Sequence, residues 1–486
     1  MIKKWGRKFY RSALPIIILI LGCTMNQNRV TTHSAEALTF YQQGVKDYYN
    51  NYLNRAFDHF TRAIQIDSCF AMACCRLSMT CHNLGDAPTA QRFMKRAKTY
   101  ITSVTLQEKL LISICEAELS GDSKGRTVLL RQFYQKFPAD MECRLLLAAD
   151  CNQRHLYNQA EAYLLEIVKV DPENLPANKL LADTYSKFNQ FDRAKKHIQV
   201  CLAAEPDDAD AIVAMAKLYQ QQGEYDKAQQ AYYSAIEILP YFQKAHLQLG
   251  DFYLEISQFE KALQQFHLAY ELLPSTVANR SIEYARIAEV YMLMGRLEKS
   301  TRSAFRSLDL DNRNIKSLAV LGKVHLLGDE IAEACGIAEK MKSIIGQSGE
   351  DASVPAAEFY DLLGEIACKK GDWDGALESF RLAWQNSPHE NATEYQMKLA
   401  HTYLRVGDYR QAKHHCSQII LRNPNHALSH FILAQAYDGL KNHDASEQEF
   451  FEFISLSEAT NRYANELDFA QKRILLVNRK NFAVRR

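Results

Sequence analysis

Apolar residues recur at i, i+3, i+4 and i+7 along residues 37–458, with polar residues between them. This spacing predicts a succession of amphipathic α-helices, because it gathers the apolar side chains on one face of each helix. Prolines reveal a longer period, since Pro138, Pro172, Pro206, Pro240 and Pro274 lie 34 residues apart and the same pattern returns between them. A repeat of this length predicts a solenoid of stacked helical hairpins.

Small side chains mark the places where the two helices of each predicted hairpin approach each other. A 34-residue template fits twelve times, beginning at residues 37, 71, 107, 141, 175, 209, 243, 281, 315, 357, 393 and 427. The eighth and the twentieth positions each hold a small residue in eleven of the twelve units. Ile114 and Arg126 are the exceptions, and both fall in the unit 107–140, which therefore departs most from the pattern.

Glycine recurs between the two helices of a unit, where a residue in the left-handed conformation can end the first helix. Asn189 and Asp329 occupy this slot in two units. The closing prolines, which include Pro388 and Pro424, cannot continue the second helix and set the angle into the next hairpin. The glycines in the slot are Gly85, Gly121, Gly223, Gly295, Gly371 and Gly407.

The unit that ends at Pro240 shows the pattern most completely. Its small, apolar and aromatic positions are Met215, Ala216, Tyr219, Ala228, Tyr232 and Ala235. The pattern resembles the tetratricopeptide repeat (TPR) family over roughly residues 37–458, although the usual Trp near the start of each repeat is absent. The resemblance implies an all-α, right-handed α-solenoid (superhelix) of about twelve helix-turn-helix units with a C-terminal capping helix.

Two interruptions divide the predicted array. Four extra residues lie between Pro274 and Ser281, and a polar segment at 347–356 separates units 1–9 (37–346) from units 10–12 (357–458). The second segment is predicted as a linker or seam, which leaves open one continuous array or two rigid blocks. Residues 459–486 are predicted as a capping amphipathic helix with a basic tail. That tail either is solvated or meets an acidic partner or a membrane surface.

The N-terminus has the features of an export signal. Residues 1–22 contain five basic residues and no acidic residue, followed by an apolar run from Ser12 to Gly22 that is shorter than the roughly 20 residues needed to span a membrane. Its end resembles a bacterial lipobox, which implies acylation of Cys23, a flexible tether over 23–36, and an outer-membrane location facing the periplasm. The alternatives are a non-lipidated signal and a cytoplasmic chain with an uncleaved N-terminus.

Composition and motifs favour an interaction protein. The 486 residues carry a formal net charge of +1, and subtracting the five basic residues of 1–22 leaves −4. Nucleic-acid binding needs clustered excess positive charge, so no nucleic-acid partner is expected. No GxSxG, GxGxxG or Walker loop is present, and the repeats leave no room for a catalytic domain. We therefore expect no enzyme activity and no cofactor.

Cysteine and histidine residues are the remaining candidates for chemistry. Without Cys23, eleven of the twelve cysteines remain, so at least one is unpaired or pairs between chains. His426 and His430 have a spacing that can chelate a metal, but no third ligand is placed beside them, so no metal site is expected. Several cysteines fill positions typical of small residues and are predicted as buried thiols, with disulfides or metal as the alternative: Cys74, Cys81, Cys151, Cys201 and Cys416.

The TPR resemblance implies that the first helices of successive hairpins line a concave groove. Carried onto this chain, the groove is apolar and aromatic at its N-terminal end, charged in the middle and acidic towards the C-terminus. The chaperone-binding carboxylate clamp of some TPR proteins is absent, because Asp183, Ala214 and Gln248 do not match it. The predicted groove residues are Tyr41, Tyr48, Met79, Lys179, Asp183, Lys217, Lys244, Asp251 and Glu365.

Three functions are compatible with these features. The first is a lipid-anchored scaffold that binds a protein or an extended peptide in its groove, during assembly of an envelope, secretion, pilus or polysaccharide-export complex. The second is a cytoplasmic TPR adaptor or regulator. The third is a metal-dependent factor that uses the histidine-rich C-terminal units. The choice among assembly pathways rests on analogy of fold alone.

Overall fold

The computed structural model describes residues 30–274, 276–346, 353–387, 392–457, 463 and 465–474. These residues form α-helices joined by short turns, with one short 3-10 helix at Ile101–Ser103 and no strand. No helix in these ranges is both long and apolar enough to cross a membrane. The predicted signal 1–22, Cys23, Pro388 and the tail 475–486 lie outside the described residues.

Twenty-four of the helices pair into twelve antiparallel hairpins, numbered 1 to 12 in chain order. Hairpins 1 to 6 are α1 (Ala35–Tyr49) and α2 (Leu53–Ile66), α3 (Ala71–Asn83) and α4 (Ala87–Thr99), α5 (Leu106–Leu119) and α6 (Ser123–Lys136), α7 (Met141–Gln153) and α8 (Tyr157–Val170), α9 (Leu175–Lys187) and α10 (Phe191–Ala204), and α11 (Ala209–Gln221) and α12 (Tyr225–Ile238). Hairpins 7 to 12 are α13 (Gln243–Glu255) and α14 (Phe259–Glu271), α15 (Val277–Leu293) and α16 (Leu297–Leu310), α17 (Ile315–Leu327) and α18 (Ile331–Gly346), α19 (Ser353–Lys370) and α20 (Trp373–Asn386), α21 (Ala392–Val406) and α22 (Tyr409–Arg422), and α23 (Ala427–Gly439) and α24 (His443–Ser457).

Each hairpin turns at one residue with positive φ. Six of these are the predicted glycines, and Asn189 and Asp329 hold the same conformation at φ 57°. The peptide groups around the turn hydrogen-bond back to the first helix, as where Gly223 N donates to Gln220 O at 3.0 Å. The other four turns use residues that the sequence analysis missed, namely Asn51, His155, Ser257 and Lys441. A left-handed residue with a Cβ is strained, but one such residue per turn is tolerated.

The two helices of a hairpin approach each other closely at the predicted small residues. An added Cβ on Gly250 would lie 2.5 Å from the Phe266 ring, and one on Gly364 would lie 2.5 Å from Phe380. The unit 107–140 forms a hairpin despite its two exceptions. Ile114 is completely buried, and the buried Arg126 side chain donates from Nη1 to Asp150 Oδ1 at 2.5 Å. An ion pair therefore replaces the small residue at that crossing.

Both interruptions lengthen a helix instead of forming only a loop. The extra residues before Ser281 lie in α15, which has 17 residues, and 353–356 of the predicted linker belong to α19, which has 18. The linker boundary is thus wrong from residue 353 onward. Hairpins 9 and 10 share one apolar cluster that contains Leu318 and Leu362, and Lys323 Nζ lies 2.7 Å from Asp361 Oδ2. The array is continuous across this position.

Both ends of the array are covered. Thr31 donates from N and Oγ1 to the Glu108 carboxylate at 2.8 and 2.7 Å, and Thr32 Oγ1 donates to Asp67 Oδ2 at 2.6 Å. Residues from 30 onward are therefore fixed to the solenoid, which corrects the C-terminal part of the predicted tether 23–36. Residues 465–474 are helical, and Ala470 and Ile474 pack on the Phe450 cluster of the last hairpin. This confirms the capping helix in that range.

Among the described residues, successive turns of the superhelix contact each other at three places. Near hairpins 1 and 6, Tyr52 Oη donates to Asp208 Oδ1 at 3.2 Å and accepts from Ala209 N at 3.0 Å. Asn279 Nδ2 donates to Leu84 O at 2.9 Å, which joins hairpin 8 to hairpin 2. Asn425 Nδ2 donates to Gln222 O at 2.8 Å, which joins the start of hairpin 12 to hairpin 6. We call these the turn-to-turn contacts. They close the solenoid around its own axis.

Candidate functional site

The first helix of each hairpin lies on the inner side of the solenoid. First helices of successive hairpins contact one another, as α7 with α9 and α11 with α13, whereas successive second helices make no comparable contact. This difference follows from curvature, since helices on the inner side of a bend are closer together. The inner face is therefore the surface that the TPR resemblance predicted as the groove.

The N-terminal part of the inner face is filled by its own side chains. Arg76 is buried at the centre of this part and forms an ion pair with Glu142. Its guanidinium lies 5.9 Å from the ring centroid of Tyr48 and 6.0 Å from that of Tyr49. Tyr49 Oη donates to Glu142 Oε1 at 3.4 Å, which brings hairpin 1 to hairpin 4. We call these four residues the Arg76 cluster.

Two predicted groove residues therefore lie in the core. Tyr41 is 5% exposed and Met79 is 3% exposed, so a partner cannot reach either side chain in this conformation. Burial raises the pKa of Tyr41, with Arg76 acting in the opposite direction. Tyr48 is half-buried, and its hydroxyl accepts from Asn83 Nδ2 at 3.2 Å. The aromatic end of the predicted groove is thus a packed interior.

A first group of ion pairs joins hairpins 5, 6 and 7. Lys179 Nζ lies 2.6 Å from Asp208 Oδ2 and 3.3 Å from Asp210 Oδ2, and Lys244 Nζ lies 2.7 Å from Asp210 Oδ1. Lys179 also donates to Asn50 Oδ1 at 2.8 Å, across a turn-to-turn contact. Burial alone would raise the pKa of Asp210, but Lys244 and Lys179 hold it below its ordinary value. The predicted Lys179 and Lys244 therefore belong to one group.

A second group continues the inner face through hairpins 7 to 9. Arg286 Nη1 lies 3.0 Å from Asp251 Oδ1, and Lys316 Nζ lies 2.8 Å from Glu289 Oε2. Burial raises the pKa of Asp251 in spite of Arg286. The predicted Asp183 lies at the N-terminal side of this surface, half exposed and paired with Lys187 on its own helix at 2.9 Å. Lys217 is half-buried.

A third group centres on Asp361, which is 0% exposed. Lys323 Nζ approaches its Oδ2 at 2.7 Å, and Lys398 Nζ approaches its Oδ1 at 2.6 Å. Lys398 also contacts the predicted Glu365 at 2.6 Å. Burial would raise the pKa of Asp361, but the two lysines lower it. The acidic end of the predicted groove is thus largely neutralised by lysine.

The sequence analysis missed the partners of these acids. Asp208, Arg286, Lys316, Lys323 and Lys398 all contribute to the three groups, and none was predicted as a groove residue. A signal was present, since the ninth position of successive units reads Asp251, Glu289, Lys323 and Glu365. Charge at this position on successive first helices indicates ion pairs across them. The observed partners of Asp251, Glu289 and Lys323 occupy other positions of the neighbouring units, and they are Arg286, Lys316 and Asp361.

Cysteines and histidines mostly serve packing and local hydrogen bonds. All eleven described cysteines are free thiols, and the five that were predicted as buried are buried. Burial raises the pKa of Cys74 to about 11. The two nitrogens of His430 contact Glu449 Oε2 at 2.6 Å and Pro424 O at 2.8 Å, while His426 caps α23. Across the described ranges, no three His, Cys, Asp or Glu side chains are grouped to hold a metal ion.

Models of tetratricopeptide repeats match this sequence at residues 152–218, 189–232 and 397–452. No curated protein sequence matches it. The fold is a helical-repeat solenoid, and the chain carries tetratricopeptide repeats at these residues. Proteins of this family bind protein or peptide partners, and their fold is typically a non-catalytic interaction scaffold.

Three solved structures are among those that this chain is similar to. Yeast Tom70 is 14% identical, with 91% of this chain and 96% of that chain covered and a TM-score of 0.41. A tetratricopeptide repeat protein from Parabacteroides merdae is 19% identical, with 54% of this chain and 98% of that chain covered and a TM-score of 0.42. Pseudomonas aeruginosa pilF is 16% identical, with 43% of this chain and 93% of that chain covered and a TM-score of 0.34. Nothing about activity follows from these values.

The Asp361 group allows a test of stability. Asp361→Asn leaves Lys323 and Lys398 facing each other without the carboxylate, so we expect the free energy of unfolding at pH 7 to fall by about 3 kcal/mol. Because the lysines lower the pKa of Asp361, its contribution is present above the unfolded pKa and is lost as the pH falls through the folded value. The free energies of unfolding of the wild type and of Asp361→Asn, measured by urea denaturation, should therefore converge in acid.

Asp329→Asn is the matched control, because Asp329 pairs with Lys369 on the exposed surface. Exposed ion pairs contribute little to stability, so this variant should unfold close to the wild type. Equal destabilisation by the two substitutions would contradict the assigned role of Asp361.

Proposed function

We propose that the chain is a scaffold that binds an extended segment of a partner protein along the inner face of hairpins 5 to 11. The observation that carries this proposal is the line of charged side chains from Lys179 to Lys398. Hairpins 1 to 4 fill their inner face with the Arg76 cluster, whereas hairpins 5 to 11 present charged groups there. A partner segment that carries complementary charges matches such a surface.

The charged groups can exchange their internal partners for those of a bound segment. Asp251, its partner Arg286, and Glu365 are each roughly one-third exposed, so water reaches them. Ion pairs that water reaches contribute about 0–1 kcal/mol, so replacing one by a pair with a partner costs little. A segment with mixed charges therefore fits this surface better than an apolar helix, which needs an apolar groove.

The turn-to-turn contacts restrict how such a segment enters. With Asn279 bonded to Leu84 O and Asn425 to Gln222 O, the inner face is closed along the side of the superhelix at these positions. A segment then enters along the axis as an extended chain, or the contacts separate first. Either route favours a disordered or extended partner over a folded domain.

For the N-terminus, we propose an export signal and lipid attachment at Cys23, with the solenoid in the periplasm. The basic start, the apolar run and the lipobox-like end of the signal support this proposal. Because Thr31 is fixed to Glu108, the eight steps from Cys23 to Thr31 reach at most about 28 Å at about 3.5 Å each. An anchored solenoid would therefore lie close to the membrane, in a place suited to assembly of an envelope complex. A cytoplasmic adaptor is the alternative.

Photo-crosslinking in living cells tests the inner-face proposal. A photoreactive residue in place of Asp183 should give one dominant protein adduct, which mass spectrometry would identify. The same residue in place of Lys196, which is exposed on α10 at the outer side, is the matched control and should give none. Adducts from position 196 alone would contradict the proposal.

A charge reversal refines this test. Lys217 lies one repeat after Asp183 on the next first helix, so Lys217→Glu should reduce the adduct from position 183 about fivefold, equivalent to about 1 kcal/mol. Lys196→Glu makes the same change of charge on the outer side and should leave the adduct unchanged. Equal effects of the two reversals would indicate a change in overall charge instead of a contact.

Cell fractionation tests the anchor. The wild-type chain should sediment with membranes and should have the mass of a processed, acylated protein that starts at Cys23. Cys23→Ser removes the acceptor thiol and should release the chain into the soluble fraction, because acyl chains contribute about 0.8 kcal/mol per buried methylene. An intact mass that begins at Met1, with the wild type in the cytoplasm, would contradict export and favour the adaptor.

A further inference from the structure

Basic side chains gather on the outer side of hairpins 1 to 3. The second helices of these hairpins, α2, α4 and α6, together carry ten Lys or Arg residues and one acidic residue, Asp58. Eight of the ten basic side chains are exposed, whereas Arg96 is half-buried and Arg126 is buried. Three neighbouring helices therefore present charge of one sign to the surroundings.

Five of the exposed basic residues form no ion pair with another described residue. Two others are compensated, since Arg55 pairs with Asp47 at 3.2 Å and Lys98 pairs with Glu116. Uncompensated charge of one sign repels itself, and a partner of opposite charge relieves that repulsion. We call the five residues the basic outer surface, and they are Arg62, Arg92, Lys95, Arg131 and Lys136.

The outer helices of the later hairpins have a different composition. In hairpins 4 to 10, each second helix carries both basic and acidic residues. In hairpin 11, α22 carries three Lys or Arg residues, but α24 of the next hairpin carries four acidic residues and no Lys or Arg. The formal net charge of +1 for the whole chain conceals this uneven distribution. The basic outer surface is a local feature of the first three hairpins.

We propose that the basic outer surface binds a phospholipid membrane that contains negatively charged headgroups. Its charges are spread over three helices instead of lining a groove, which suits the diffuse charge of a lipid surface. Exposed apolar side chains on the same helices add to binding at a membrane interface, with Val128 52% exposed and Ile66 37% exposed. None of the exposed aromatic side chains lies on α2, α4 or α6, so the surface has no stacking platform for a single-stranded nucleic acid.

The N-terminal segment reaches the solenoid beside this surface. Thr32 Oγ1 donates to Asp67 Oδ2 at 2.6 Å, and Asp67 directly follows α2. Arg96 of α4 donates from Nη2 to Ser68 O at 2.8 Å, one residue further on. Acyl chains on Cys23 would therefore hold α2 and α4 near the membrane. This orientation rests on the proposed lipid anchor, whereas the attraction to anionic lipid depends only on the charges.

Sedimentation with vesicles tests the proposal. The full chain with Cys23→Ser is used, because it has no acyl acceptor and the result is then independent of the anchor. We expect it to bind vesicles of phosphatidylcholine and phosphatidylglycerol at about 50 mM salt and to be released at about 500 mM, because salt screens exposed charges. Vesicles of phosphatidylcholine alone measure any binding by the apolar run at 12–22, so the difference between the two vesicle types reports the charges.

A double charge reversal on α4 locates the binding surface. Arg92→Glu with Lys95→Glu should bind the anionic vesicles at least about tenfold more weakly, since each basic residue near such a surface contributes to binding. Lys299→Glu with Arg302→Glu is the matched control, because it also changes one Lys and one Arg that are three residues apart and exposed on an outer helix, α16. The control should bind as tightly as the parent chain. Circular dichroism shows whether both variants keep their helices.

Equal binding of the anionic vesicles by the two folded variants would overturn the inference. So would equal affinity of the parent chain for the two kinds of vesicle. Capture of a fluorescent DNA duplex by the parent chain, lost in the α4 variant and without any preference for anionic vesicles, would overturn it as well and would assign the surface to a nucleic acid.

Discussion

The close approach of two helices at a small residue is the constraint on which this structure depends. Gly250 faces the Phe266 ring at a distance that leaves no room for a Cβ, and Gly364 faces Phe380 in the same way. Each crossing fixes one hairpin, and each hairpin can bury its apolar face only against its neighbours. A turn with one left-handed residue completes the unit. The solenoid follows from repetition of this unit.

Much of the fold could be predicted because its contacts are local. The small positions, the turn residues and the apolar period all lie within one repeat, so a single sequence displays them. The turns at Ser257 and Lys441 were missed because neither residue type favours the left-handed conformation. The extra residues before Ser281 and at 353–356 extended helices, since a helix can absorb one more turn at its N-terminus without altering the hairpin.

The site could be predicted only in part, because it depends on contacts between distant repeats. The TPR resemblance predicted Tyr41 and Met79 as groove residues, but both are buried in the apolar core of the first hairpins, where Arg76 of hairpin 2 pairs with Glu142 of hairpin 4. The resemblance predicted Lys179 and Lys244 as groove residues, but it could not show that both pair with Asp210. The helical period within one repeat determines which face of its helix a residue occupies. The curvature of the whole solenoid determines whether that face is open.

The ion pairs of the inner face and the turn-to-turn contacts together define the part of that face that a partner can reach. Burial of an acid such as Asp361 is tolerated because two lysines compensate it, and the less buried pairs stay exchangeable. The turn-to-turn contacts close the side of the superhelix at three positions beside this surface. Under the proposed function, the scaffold would select an extended partner by its charge pattern more than by its apolar area.

Closure of the superhelix is the central claim, and a zero-length carbodiimide cross-link tests it most directly. Lys46 Nζ in hairpin 1 lies 2.6 Å from Glu205 Oε1 after hairpin 5, with both side chains accessible to the reagent. Lys98 and Glu116 form a similar exposed pair between adjacent hairpins and serve as the internal control. Closure predicts that both amide cross-links appear in the monomer with comparable yield. A Lys98–Glu116 cross-link without the Lys46–Glu205 cross-link would show that the turns of the superhelix stand apart.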